Sequence, residues 1–344
     1  MTARAAPRAM VLGCAGLALD DSERRFMADA DPAGFILFKR NCESPAQTQA
    51  LIESLRDAVK RADAPVLVDQ EGGRVVRLGS PHWREPPPPG LLGALARIDE
   101  TAGVRAAWLN ARLMAADLHG LGFSVNCVPV LDLRFAGASK VVGDRSLGAD
   151  AHVVARLGRA VADGQSAGGV VPAIKHLPGH GRAVADSHAV LPHVDAPLEA
   201  LRARDFVPFR ALRDVPVGLT AHVRYAALDP ERPGTLSPDV IERAVRGAIG
   251  FDGLLVTDDL SMGALTGSVG ARAAAALAAG CDLALHCNGK REEMEDVAAA
   301  VPALTGPARE RFGRMLAARR PPEAFDDAEG LRELNALLAR VAPQ

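Results

Sequence analysis

The stretch Leu-Leu-Val-Thr-Asp-Asp at positions 254–259 runs from a short apolar segment into two carboxylates, and this pattern recurs along the chain. A strand that is buried on both faces shows an unbroken apolar run instead of alternation. The pattern predicts eight strands, which are Met10–Gly13, Gly34–Phe38, Pro65–Asp69, Ser124–Val128, Val171–Lys175, Val217–Ala221, Leu254–Asp258 and Asp282–His286.

Amphipathic segments typical of helices separate these strands. They include Pro45–Arg61, Gly103–Leu121, Ala151–Gln165, Pro238–Ala248 and Ser268–Ala279. Eight strand–helix repeats predict an α/β fold, a single (β/α)8 TIM-type barrel, with a doubly wound open sheet as the alternative.

No clear linker divides the chain, so we expect one catalytic domain over 1–344, with the barrel at about 9–304. The four prolines within His82–Gly90 predict an irregular loop. The charged segment at about 305–344 is expected to form a helical tail on the outside of the barrel.

Composition excludes several classes of function. The 344 residues are 48% hydrophobic and carry a formal net charge of −2, and no basic tract indicates a nucleic-acid partner. The low aromatic content of 4% argues against stacking surfaces for long polysaccharides. Five cysteines without a CxxC pair indicate free thiols in a reducing compartment, and their spacing does not support a metal site.

The N-terminus resembles a signal peptide, because Arg4 and Arg8 precede an apolar run over 9–19 and Cys14 suggests a lipoprotein site. We favour a first buried strand, because Asp20 follows the run with a helix-capping signal. No apolar stretch reaches the roughly 18 residues of a membrane span. We therefore expect a cytoplasmic protein.

Polar side chains collect where the predicted strands end. Parallel barrel strands bring these ends to one face, where active sites lie. The residues are Asp69, Glu71, Asp132, Lys175, His176, His222, Asp258, Asp259 and His286. Structural roles remain open for four of them: Asp259 as a helix cap, Asp132 as a cap or a partner of Arg134, His222 as a satisfied core histidine, and Glu71 as a partner of Arg74 or Arg77.

The loop KHLPGHGRAVADSHAVLP at 175–192 carries three histidines and admits three interpretations. A zinc site is one, although the spacing matches no standard signature. Local hydrogen bonding is the second and is favoured for His180. The third is a dyad in which Asp186 orients His188 and raises its basicity for proton transfer. The GxSxG match at 164–168 is interpreted as a helix end, because a nucleophile elbow has a strand before its serine.

Ordered motifs extend from about Gly13 to Asn288. They are GFILFKRN (34–41), VDQEGGRVVRL (68–78), NCVPVLDL (126–133), GDRSLG (143–148), AIKHLPGHG (173–181), DSH (186–188), LLVTDDLSMGAL (254–265) and the weaker LHCN (285–288). On these motifs the sequence resembles glycoside hydrolase family 3, specifically its single-domain bacterial β-N-acetylglucosaminidases of cell-wall recycling.

The resemblance implies a retaining exo-β-N-acetylglucosaminidase without a cofactor or metal. It implies that Asp258 is the nucleophile and that Asp186 and His188 form the acid/base dyad. It also implies that the hydroxyls of the sugar are bound by Asp69, Arg77, Arg145, Lys175 and His176. Arg145 and Lys175 are expected to hold the pKa of Asp258 down. The implied partner is a small sugar, N-acetylglucosamine-anhydro-muramyl peptide, bound to a monomer away from nucleic acid and membrane.

Two stretches depart from the family pattern. Leu177 replaces a phenylalanine and Arg182-Ala183 replaces Asp-Thr in the usual KHFPGHGDT, while Leu147 replaces the phenylalanine of GDRSFG. We expect Arg182 to alter the mobility of the loop or the preference for the aglycone. Alternative functions are a phosphorylase of the same family, a metal-dependent hydrolase on the same barrel and a non-catalytic sugar-binding protein.

Overall fold

The computed structural model describes residues 6–139, 141–187 and 190–341, so the predictions that concern His188 lie outside the described residues. Its central feature is a closed barrel of eight parallel strands. The last barrel strand pairs with the first, Met10 facing Ala284, which closes the ring and excludes the open sheet. The barrel strands are β1 (Arg8–Leu12), β2 (Pro32–Leu37), β3 (Val66–Val68), β4 (Val125–Asn126), β5 (Val171–Leu177), β7 (Val217–Thr220), β9 (Leu254–Asp259) and β10 (Leu283–His286).

Helices surround the barrel and connect its strands. The α-helices are α1 (Asp21–Ala30), α2 (Pro45–Ala58), α3 (Pro89–Ile98), α4 (Glu100–Leu121), α5 (Ala151–Ala167), α6 (Leu198–Ala200), α7 (Phe206–Ala211), α8 (Val269–Ala278), α9 (Arg291–Ala300), α10 (Gly306–Ala317) and α11 (Asp327–Leu338). Two π-helices, Leu201–Asp205 and Val240–Ile249, and three 3₁₀ turns, Lys39–Asn41, Gly143–Arg145 and Gly234–Leu236, complete the helical segments. A short parallel ladder joins β6 (His193–Val194) to β8 (Arg224–Tyr225) beside the barrel.

All eight predicted strands are present, with their ends shifted by no more than two residues. Helix α3 was not predicted, because the proline run hides its start. The loop that was expected over His82–Gly90 ends where Pro89 occupies the first turn of α3, a position that tolerates proline since no intrahelical N–H bond is lost there. The GxSxG segment is a helix end, as predicted, with Gly168 capping α5 before β5.

The apolar run near the N-terminus is the buried strand β1, as predicted. Asp20 caps the following helix by accepting a hydrogen bond of 2.7 Å from the Glu23 amide. The five cysteines are free and buried. In the described part of the chain, no helix has the length and apolar character needed to cross a bilayer.

Two side chains of the C-terminal extension belong to the core of the barrel, whereas the extension was expected to pack on the outside. Phe312 and Met315 of α10 join the cluster of strand side chains that fills the barrel interior, including Val11 and Leu254. The extension thus supplies part of the core, whereas α11 lies outside and pairs Glu333 with Arg105 of α4. Phe312 and Met315 cover the amino-terminal end of the barrel, because an open end would expose the barrel interior to water.

We predict that Phe312→Ala lowers the free energy of unfolding by about 3–5 kcal/mol, because it removes a ring that is only 7% exposed and leaves a cavity. Urea denaturation monitored by circular dichroism measures this change. Ile98→Ala is the control, since Ile98 is 61% exposed and should change stability little. A loss below about 1 kcal/mol for Phe312→Ala would show that α10 does not complete the core.

Candidate active site

A cavity of about 610 Å³ opens at the carboxyl ends of the barrel strands. Its walls combine apolar residues from the strands with charged residues that follow them. The predicted site residues that line this cavity are Asp69, Arg77, Arg145, Lys175, His176, Asp186 and Asp258. His188 lies outside the described residues, so the structure brings together seven of the eight predicted positions.

Glu71 is the centre of a buried ion-pair cluster in this cavity. Its carboxylate accepts two hydrogen bonds of 2.8 Å from the Arg145 guanidinium. The Lys175 ammonium lies 2.7 Å from Glu71 Oε1 and 2.7 Å from Asp69 Oδ1. Arg77 extends the cluster with a contact of 3.3 Å to Asp69. The structural alternative left open for Glu71, a pair with Arg74 or Arg77, is therefore not the pairing that forms.

Charge pairing keeps these groups ionised despite burial. Burial raises the pKa of Glu71, but Lys175 and Arg145 outweigh it and hold the pKa at about 2. Burial also opposes ionisation of Asp69, but Lys175 and Arg77 bring the pKa of this carboxyl well below its ordinary value. Burial lowers the pKa of Lys175, but the two carboxylates raise it above its usual range. Each charge in the cluster therefore depends on its neighbours for compensation.

Asp258 lies on β9, at the wall of the same cavity. Burial raises the pKa of its carboxyl, but His176 and the Asp259 amide, which donates a hydrogen bond of 2.8 Å, bring it below the ordinary value. Of the two cations expected to lower the pKa of Asp258, Lys175 contributes, whereas Arg145 pairs with Glu71. The Asp258 carboxylate is therefore ionised near neutral pH, as a nucleophile requires.

His176 is held between two carboxylates. Its Nδ1 lies 2.6 Å from Asp132 Oδ2, and its Nε2 lies 4.0 Å from Asp258 Oδ2. Asp132 also accepts a hydrogen bond of 2.6 Å from the His180 amide. Burial would raise the pKa of Asp132, but the two histidines lower it to about 2. An ionised Asp132 fixes the orientation of the His176 ring, so that Nε2 faces Asp258.

His180 and His222 both make local hydrogen bonds, the kind of contact that the sequence favoured for them. His180 Nε2 lies 3.0 Å from Ser187 Oγ, and burial lowers the pKa of His180 to about 4, so its ring is neutral at pH 7. His222 is fully buried, with Nδ1 2.7 Å from Thr235 Oγ1 and Nε2 3.0 Å from the Asp259 carbonyl. These contacts fix the end of β9 that carries Asp258.

Comparison with known proteins identifies the family. The model of the glycosyl hydrolase family 3 N-terminal domain matches residues 8–312. This chain belongs to glycosyl hydrolase family 3. It is 41% identical over 277 residues to a β-hexosaminidase of Methylococcus capsulatus, covering 79% of this chain and 80% of that protein. It is 38% identical over 310 residues to a β-hexosaminidase of Thiobacillus denitrificans, covering 89% and 85%.

A solved structure with the same barrel is NagZ from Neisseria gonorrhoeae in complex with N-trifluoroacetyl-D-glucosamine. It superposes with a TM-score of 0.86 at 28% identity and covers 99% of both chains. The protein is therefore a glycoside hydrolase. In the described ranges 6–139, 141–187 and 190–341, no group of three or more His, Cys, Asp or Glu side chains could hold a metal ion.

Two features of this family 3 site were missed by the sequence. For Asp132 a cap or a pair with Arg134 was left open, but its carboxylate contacts the His176 ring. Glu71 was given a local ion pair, but its partners lie 74 and 104 positions further along the chain. Spacing along the chain carries no signal for either contact. Their position at strand ends was the only signal available, because it placed them at the barrel mouth.

Lys175 and His176 both line the cavity, although neighbouring side chains of a regular strand point to opposite faces. The register of β5 against β7 shifts between Ile174 and Leu177. This irregularity lets both consecutive residues face the site, which a strand-period argument does not predict.

We predict that Glu71→Gln lowers the free energy of unfolding by about 3–5 kcal/mol at pH 7, because Arg145 and Lys175 lose the carboxylate between them. The folded-state pKa of Glu71 is about 2 and its ordinary value is 4.5. Its contribution is therefore complete above about pH 5 and is lost as pH falls towards 2.

Urea denaturation of both proteins at pH 7, 4 and 3 should show the difference shrinking with acidity. Glu295→Gln is the matched control, because its pair with Arg291 is on the surface and should contribute less than about 1 kcal/mol. A difference that stays constant across this range would contradict the assignment of Glu71 as an ionised centre.

Proposed function

We propose that this glycoside hydrolase is a retaining exo-β-N-acetylglucosaminidase that acts on peptidoglycan fragments. The observation that supports this most is the position of Asp258, an ionised carboxylate at the wall of a cavity that Asp186 also lines. Glycoside hydrolysis needs a carboxylate and a proton donor around one sugar-sized space, and Asp186 is the proposed partner of that donor, His188.

In the proposed mechanism, Asp258 attacks the anomeric carbon as positive charge develops there. The bond to the leaving oxygen breaks, and His188, oriented by Asp186, donates a proton to that oxygen. Water then releases the sugar from Asp258, and His188 removes the proton of that water. Two displacements at one carbon retain the anomeric configuration.

The cluster of Asp69, Arg77, Arg145 and Lys175 is proposed to bind the hydroxyls of the sugar. Each charged partner of a hydroxyl contributes about 1.5–3 kcal/mol, and a sugar without that hydroxyl leaves the partner unsatisfied. Because the groups already pair with one another, little reorganisation is needed when the sugar binds.

The substrate class rests on the size of the cavity and on the relatives. A volume of about 610 Å³ suits one or two sugar rings rather than a long chain, which favours removal of a terminal residue. The relatives bear the name β-hexosaminidase, and the NagZ complex contains an N-acylated glucosamine analogue. Free buried thiols support a cytoplasmic location, where soluble peptidoglycan fragments would be the substrate.

We predict that Asp258→Asn reduces hydrolysis of an aryl β-N-acetylglucosaminide by on the order of 10³-fold or more, because the neutral amide cannot trap the anomeric centre. Initial rates measure the loss. Labelling of intact enzyme by a 5-fluoro-N-acetylglucosaminyl fluoride, followed by peptide mass spectrometry, should place the sugar on Asp258.

Asp144→Asn is the control for this variant, because Asp144 pairs with Arg74 at the exposed rim. The wild-type rate on the aryl β-N-acetylglucosaminide should also be compared with its rate on an aryl β-glucoside. A second comparison measures the rate and the product with and without added phosphate. A sugar attached to another residue would contradict the nucleophile, and a glycosyl phosphate as the main product would identify a phosphorylase.

We predict that His188→Ala lowers kcat/KM on an alkyl β-N-acetylglucosaminide by about 10²-fold or more. The loss of kcat/KM on 2,4-dinitrophenyl β-N-acetylglucosaminide, the dinitrophenyl substrate, should be far smaller. The dinitrophenolate leaves without a proton, whereas the alkoxide needs one. Steady-state kinetics on both substrates measure the ratio. An equal loss on the two would argue against His188 as the proton donor.

A further inference from the structure

The loop at 179–192, named here the β5 loop and described except for residues 188 and 189, begins in a tightly fixed segment. The Gly179 carbonyl accepts a hydrogen bond of 3.0 Å from the Tyr225 hydroxyl. The Ala183 carbonyl accepts one of 2.9 Å from the Ser139 amide. A Cβ on Gly181 would lie 2.1 Å from the Leu133 carbonyl oxygen, so the backbone of the loop rests directly on the segment after β4.

Arg182 adds the charged contact of this segment. Its Nε lies 3.0 and 2.9 Å from the two carboxylate oxygens of Asp205, at the end of the π-helix that precedes α7. Its guanidinium also stacks on the Phe135 ring, 4.3 Å from the centroid. Arg204 approaches the same ring at 4.9 Å. One side chain thus joins the β5 loop, the π-helix and the loop after β4.

The loop changes character directly after this contact. Val184 is 63% exposed, and Asp186, two residues later, lines the cavity. At the other end, the Arg224 amide donates a hydrogen bond of 2.9 Å to the Pro192 carbonyl, next to the β6–β8 ladder. The part of the loop with proposed chemistry lies between these two anchors, and Arg182 makes the ion pair of the first. Ser187, next to Asp186, adds a contact of 3.0 Å from its Oγ to His180 Nε2, and its carbonyl accepts a hydrogen bond of 3.2 Å from the Ala264 amide.

We propose that Arg182 is a positioning residue, which through its ion pair with Asp205 and its stacking on Phe135 sets the direction in which the loop carries Asp186 to the cavity. This proposal rests on the proposed function, because it assumes that Asp186 belongs to the acid/base dyad. Arg182 does not line the cavity, so it acts on the loop and not on the sugar. Of the two expected effects of its departure from the family pattern, the contacts favour the one on the loop.

The burial of Asp205 makes its ion pair with residue 182 sensitive to which cationic side chain stands there. This residue is only 3% exposed, and burial raises the pKa of its carboxyl against the effect of Arg182. A guanidinium combines charge, planarity for stacking and several donors, whereas an ammonium offers a point charge that cannot stack in the same way. Lysine at position 182 should therefore hold the loop less well than arginine. Methionine is uncharged and cannot form the ion pair with Asp205.

The test uses the full chain and the variants Arg182→Met and Arg182→Lys. For each, kcat/KM is measured on an alkyl β-N-acetylglucosaminide and on the 2,4-dinitrophenyl substrate. Arg105→Met is the matched control, because Arg105 also makes a two-point pair, to Glu333 at 2.8 and 2.6 Å, and stacks at 5.1 Å on Trp108. The control pair lies between α4 and α11, outside the cavity lining.

We expect Arg182→Met to lower kcat/KM on the alkyl substrate by about tenfold or more, and on the dinitrophenyl substrate by less than about threefold, because proton donation affects only the alkyl leaving group. Arg182→Lys should show an intermediate ratio, and Arg105→Met should show the wild-type ratio. A merely structural effect would lower kcat/KM on both substrates by the same factor.

Equal losses on the two substrates, or no loss, would overturn the proposal for Arg182. If Arg182→Met does not fold, Arg182→Lys alone decides the test. A ratio of kcat/KM on the two substrates equal to that of the wild type would then overturn the proposal. Failure of the proposed function is distinguishable, because the wild-type enzyme would then turn over neither substrate.

Discussion

The buried carboxylate of Glu71 is the constraint on which the mouth of the barrel depends. It pairs with Arg145 from the loop after β4 and with Lys175 from β5, while Lys175 also reaches Asp69. Isolated charges would be costly in a site so shielded from water, but the network compensates each of them. The same pairing fixes three elements of the barrel and leaves polar groups arranged around a sugar-sized space.

A second set of contacts surrounds the proposed chemistry. His176, held by Asp132, faces Asp258, and the contact of His222 with the Asp259 carbonyl fixes the end of β9. Asp186 lines the same cavity from a loop. Rigid strands therefore carry the proposed nucleophile, and a connecting segment carries the proposed proton donor. This division suits a reaction in which one group stays in place while the other serves two successive steps.

The sequence predicted most of the barrel because the rule for its strands is local. Unbroken apolar runs such as Val217–Thr220 need no knowledge of distant partners, and their polar ends reveal the functional face. Helix α3 was missed, because a proline run predicts irregular structure until its last residue is recognised as a helix start. The position of α10 was also missed, since an amphipathic helix does not specify whether it covers a barrel or fills its end.

The sequence alone thus determined the strand order, the polar residues of the mouth and the family pattern that they form. Only the tertiary structure decided which charges pair: Glu71 with Arg145, Asp132 with His176, and Arg182 with Asp205. The physical reason is that apolar burial follows a local periodicity, whereas an ion pair depends on the distance between two side chains after the barrel has closed. Partners separated by dozens of residues leave no trace in local spacing, and closure of the ring sets their geometry.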